Sequence, residues 1–99
     1  MFLEEITQMA LEQKLQEFQQ KYVNLEQQAT DGSLERHVYN QIVVCINRAQ
    51  NVTPAKQCAF ETQITLVSMA KVLDPPSERH VMWKAVEELE QIAGLYPLR

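Results

Sequence analysis

Glycine is nearly missing from this chain of 99 residues, which holds two glycines, four prolines, two cysteines and one tryptophan. So few turn formers exclude a sandwich or barrel of many short strands, which would need glycine or proline at most reversals. Long apolar runs are missing too. The longest, Ile42-Val43-Val44-Cys45-Ile46, falls far short of the ~18 to 20 residues of a membrane span, so no membrane partner is expected. Positive charge is thin: nine Lys+Arg stand against thirteen Asp+Glu, a formal net charge of −4. The basic residues are scattered, from Lys14 and Lys21 to Lys84 and Arg99, with no cluster to replace phosphate counterions. Nucleic acid is therefore an unexpected partner. An acidic mimic of nucleic acid would need a much stronger field than this chain carries.

Reactive chemistry is missing in the same way. Zinc sites are announced by close ligand pairs, and His37, His80, Cys45 and Cys58 have no such spacing, so no metal is expected. His37 with Cys45, or His80 with Cys58, would be the available nucleophile pairs. Both cysteines sit in apolar stretches that raise a thiol pKa, and no catalytic residue is assigned. The adjacent acids Glu4 with Glu5 and Glu87 with Glu88 point about a hundred degrees apart on a helix, as solvated faces do. Gly32 and Gly94 lie at helix ends and cannot form a phosphate loop. No cofactor, no small-molecule substrate and no enzymatic activity are expected.

The N-terminal Met-Phe-Leu-Glu-Glu-Ile has acids where a secretory signal has positive charge, which points to the cytoplasm. There Cys45 and Cys58 are expected as buried thiols, although their spacing does not exclude a disulfide. Outside the secretory route the Asn51-Val52-Thr53 glycosylation pattern carries no meaning.

What remains is ordinary globular content, 45% hydrophobic and 22% charged, written largely in helix formers. The expected fold is all-α: a single domain over 1–99, a small bundle of about four helices near 2–30, 34–51, 54–73 and 77–93, with an apolar tail at 95–99. The first segment carries Leu11, Leu15, Phe18, Tyr22, Leu25 and Ala29 at alternating spacings of four and three, the seam of a bundle or coiled coil. Leu3, Ile6 and Met9 extend it on a drifting stripe. A continuous helix there would be longer than a domain of this size is wide, so it breaks or overhangs. An overhang needs cover from a second chain.

Asp31-Gly32-Ser33 ends that segment, with Gly32 suited to the left-handed position and Ser33 to the next N-cap. The second segment places Leu34, Val38, Ile42, Cys45, Ile46 and Ala49 on one face, widened by Tyr39, Val43 and Val44. It is the central helix. A strand through its β-branched run would find no hairpin partner. Thr53-Pro54 marks the third helix, threonine as N-cap and proline in the first turn. Its apolar residues form two stripes, Ala55, Ala59, Leu66, Met69 and Leu73, then Phe60, Ile64 and Val67. Asp74-Pro75-Pro76 stops it, and Ser77 or Asp74 caps the fourth helix, which buries Val81, Met82, Ala85, Val86, Leu89, Ile92 and Ala93 up to Gly94.

Ala70-Lys71-Val72-Leu73-Asp74-Pro75, followed by Trp83, Val86, Gly94 and Tyr96, resembles the junction between two tetratricopeptide repeats. The interval from Pro75 to Trp83 is longer than in that repeat, and Glu87 stands where a small residue belongs. No second copy occurs at the period of about 34 residues. The stretch is therefore taken as helix-turn-helix packing.

The function expected is a small acidic non-catalytic protein interaction module, an adaptor, chaperone or inhibitor, presenting Leu11, Leu15, Phe18, Tyr22 and Leu25 to another protein or to its own copy as a homodimer. Two alternatives stand beside it. The seam could be the core of a monomeric four-helix bundle. Or helices two and three could act as a nucleic-acid-associated helix-turn-helix regulator, with Thr53, Lys56 and Gln57 where recognition residues fall.

Overall fold

The computed structural model describes residues 2–73 and 76–98, with side chains from residue 9 onward except Ser77. Four helices follow one another: α1 (Phe2–Gln28), α2 (Leu34–Ala49), α3 (Ala55–Val72) and α4 (Pro76–Ala93). Among the described residues there is no strand. The cross-helix bonds fix the directions. Asn40 Nδ2 donates to Glu26 at 3.2 Å and Gln19 bonds Asn47, so α2 runs antiparallel to α1. The Sγ of Cys45 lies 3.5 Å from the Sδ of Met69. Gln63 bonds Glu90, and Lys21 bonds Glu88. The result is an up-down-up-down four-helix bundle, the arrangement that short connections favour.

The helix boundaries follow local chemistry. Ser33 has extended backbone, and its Oγ accepts the Arg36 amide at 3.1 Å, the N-cap bond its sequence position predicts. Gly32 does have positive φ, +75°, but α1 ends four residues earlier at Gln28, so this glycine shapes the turn rather than the helix end. At α3 the expected threonine cap is replaced. Pro54, after a cis peptide bond, is itself the extended cap residue, and its carbonyl accepts from the amides of Gln57 and Cys58. α3 therefore opens at Ala55. α4 begins at Pro76, with proline in the first position where a missing N–H costs nothing, so Ser77 lies inside the helix rather than capping it. Asp74 and Pro75, given the roles of stop and cap, lie outside the described residues.

The core joins all four helices through Leu15, Phe18, Ile42, Leu66, Met82 and Leu89, among others. Two departures from the expected faces stand out. Leu34 is exposed, because it is the first residue of α2 and lies beyond the bundle end. The second stripe of α3 is divided: Val67 is buried, whereas Phe60 and Ile64 are exposed, since α4 packs on the side of Gln63. Cys45 and Cys58 are buried thiols. α1 is unbroken, about 40 Å long for its 27 residues, and the molecule's longest dimension is 47 Å. Met9, near its free end, is 67% exposed. Among the described residues no helix is long and apolar enough to cross a membrane.

Candidate functional site

The bundle is not evenly closed. α3 and α4 form the most extensive pair, and Ala59, Ala70 and Ala85 on them are fully buried. On α1 the rings of Phe18 and Tyr22 are 4.9 Å apart, and Tyr22 is 6.1 Å from Tyr39 of α2. Although α1 and α4 are neighbours in the bundle, they meet no more closely than the helices on its diagonals. A groove opens between them.

Two hollows make up this groove, and they share Lys21, Glu88 and Gln91. One, of about 450 Å³, has Tyr22, Leu25, Tyr39 and Val81 in its walls, with His80, Lys84 and Glu87. The other, of about 470 Å³, is lined by Phe18 and Ile92 with Lys14 and Glu17. Between them an ion pair crosses from α1 to α4, Lys21 Nζ to Glu88 Oε2 at 2.9 Å. The same carboxylate accepts the Tyr22 hydroxyl at 3.3 Å. Burial, reinforced by the Glu88 charge, pushes the Tyr22 phenol well above its ordinary range, so it stays a neutral donor. Tyr39 is pushed the same way by burial and by Glu35, which accepts its hydroxyl at 3.0 Å. Glu88 is thus a structural partner, whereas its neighbour Glu87 is on the exposed face expected for both.

The five seam residues fare differently. Leu15, Phe18 and Tyr22 are buried, at 7%, 2% and 4% exposure, against the chain's own helices. Leu11 and Leu25 are half-buried at the edge of that core. The seam is therefore core along its centre; Phe18, Tyr22 and Leu25 also line the α1–α4 groove, Leu15 lines a separate hollow with Ile46 and Cys58, and Leu11 lines neither hollow of the groove. His80, Val81, Lys84 and Ile92 complete the groove, a place their sequence positions do not assign them, because the partners across a seam depend on which helix closes it. Gln63 and Glu90 were also missed. They are buried polar residues on the apolar stripes of α3 and α4, one turn from Ala59 and Leu66 and from Val86 and Ala93. A polar residue in a stripe position is a signal that the sequence does contain.

Among the described residues no group of three His, Cys, Asp or Glu side chains converges for a metal. His37 and His80 are exposed while the cysteines are buried. Thr53, Lys56 and Gln57 are exposed around the start of α3, but the next basic residue of that helix, Lys71, lies about 22 Å farther along its axis. No protein-family model, no curated protein and no solved structure matches this chain.

Proposed function

We propose that this protein is a small, non-catalytic interaction module whose α1–α4 groove receives a helical segment of another polypeptide, with a second copy of the chain as the partner to test first. The observation that carries the reading is the groove itself: an apolar floor of Phe18, Leu25, Val81 and Ile92 between two rims of mixed charge. Helix-in-groove recognition needs that combination, apolar anchoring below and polar register above. The 67% exposure of Met9 on the long α1 supports it further, since an uncovered apolar residue there offers a contact to a neighbour. Buried, unpaired Cys45 and Cys58 accord with the cytoplasm as the place of action.

Absolute mass by size-exclusion chromatography with light scattering, across a wide concentration range, is the test. The intact chain is expected at twice its 11.5 kDa mass, and Leu25→Glu, a change at the half-buried groove wall, returns it to the monomer with its helical circular dichroism retained. A monomer at every concentration would overturn self-association through this groove.

A further inference from the structure

Away from the α1–α4 groove, the segment after α4 turns back onto α3. Gly94, at φ +63°, ends α4 in a reversal in which the Leu95 amide donates to the Glu90 carbonyl at 3.0 Å. Leu95 packs on the core, and the Tyr96 carbonyl accepts Gln63 Nε2 at 2.8 Å. The Tyr96 side chain is 89% exposed, and Phe60 and Ile64 are exposed beside Gln63 on α3.

Gln63 is the informative residue. It is fully buried; Nε2 serves both Tyr96 and Glu90, yet Oε1 has no hydrogen-bond partner. A carboxamide offers a donor and an acceptor side by side. One edge of an extended backbone offers the complementary pair, a C=O and an N–H of the same residue. The tail fills the donor half only. Buried polar groups are ordinarily satisfied, so an orphaned acceptor beside a backbone contact marks a site that a better-matched segment would complete.

We propose that the face of α3 around Gln63 is a binding site for an extended peptide segment of apolar and aromatic character, with Leu95–Leu98 as a built-in occupant that such a segment displaces. The segment's C=O would take the place of the Tyr96 carbonyl, its N–H would meet Oε1, and its side chains would lie on Phe60 and Ile64. The chain's own tail shows that a backbone carbonyl reaches Gln63 there, and the exposed Phe60 and Ile64 beside it are what apolar and aromatic side chains of a segment would cover. This site is independent of the α1–α4 groove, and neither stands or falls with the other.

The probe is a synthetic peptide, Gly-Leu-Tyr-Pro-Leu-Arg, the tail's own segment released from the Gly94 reversal so that a C=O and an N–H of one residue can both face Gln63; it is added to the intact isotope-labelled chain and followed by nuclear magnetic resonance. In Leu95→Asp, whose tail has lost its apolar anchor, the Gln63 side-chain amide signals are expected to shift with peptide. Binding there is expected to be about tenfold tighter than to the unaltered chain, the factor by which an occupant bound about nine-tenths of the time masks a site. Adding Gln63→Leu is expected to abolish the peptide-induced shifts of the Phe60 and Ile64 signals. No shift at Gln63 in a helical Leu95→Asp chain overturns the proposal. If that variant loses its helical circular dichroism, the unaltered chain decides: saturating peptide is expected to speed exchange of the Leu95 amide about tenfold, and an unchanged rate overturns the proposal equally.

Discussion

Gln63 on α3 and Glu90 on α4 are joined at 2.9 Å, Nε2 to Oε2, placing a polar pair inside an otherwise apolar helix interface. Such a pair costs desolvation on both sides and is recovered only while both partners remain. Gln63→Leu leaves the Glu90 carboxylate buried without this donor, and urea denaturation is expected to show a loss of about 1 to 3 kcal/mol. The double variant Gln63→Leu with Glu90→Leu is expected to lose less than Gln63→Leu alone. A double loss equal to the sum of the single ones would mean the two side chains are not coupled.

The centre of the α1 seam is core. Phe18→Ala is expected to cost about 3 to 5 kcal/mol, because the bundle closes only partly around the cavity left by a buried ring. Leu15→Asp is expected to abolish the helical circular dichroism signal rather than only to change the mass in solution. Retained helicity in Leu15→Asp would place that residue at an interface instead.

Alkaline pH probes Tyr22. Its folded-state pKa is raised by burial and by Glu88, so the neutral phenol's contribution is fully present below the ordinary tyrosine value near 10. It is lost as pH rises from there toward the folded-state value, because the unfolded chain ionises first. Tyr22→Phe is expected to flatten the fall of stability above that pH, read as denaturation midpoints at stepped pH. An unchanged slope would show that Tyr22 ionises freely in the fold.

The Ser33 cap is a local test. Ser33→Ala removes the acceptor of the Arg36 amide and is expected to cost about 1 kcal/mol, with the unfolding midpoint lowered and the urea dependence unchanged.

Both thiols are expected to react slowly with a disulfide reagent, since burial excludes the reagent and raises the pKa of each; Arg48 partly offsets this at Cys45, and Glu61 adds to it at Cys58. Phe18→Ala should speed the labelling by raising the open population. Rapid labelling of the unaltered chain would show that the core opens readily.

Much of this architecture is legible in the residues. The α2 face of Val38, Ile42, Cys45, Ile46 and Ala49 and the α4 face of Met82, Ala85, Val86, Leu89 and Ala93 are buried as their spacing predicts. Helical periodicity is a local property, and it survives whatever the neighbours do. The candidate groove was legible by half. Tyr22 and Leu25 belong to a seam any reader would mark, whereas Val81, Lys84 and Ile92 become groove residues only because α4 is the helix that faces α1 there.

The sequence by itself determined the four helices, their caps at Ser33 and Gly94 and the apolar stripe of each, because backbone hydrogen bonding, capping and 3.6-residue periodicity act over a few neighbouring residues. The tertiary structure decided which stripes close on one another. α3 packs most extensively on α4, α1 and α4 leave a groove between them, and the tail reaches Gln63 across 33 residues of sequence. Those outcomes depend on side-chain volumes meeting in space, and no local spacing encodes them.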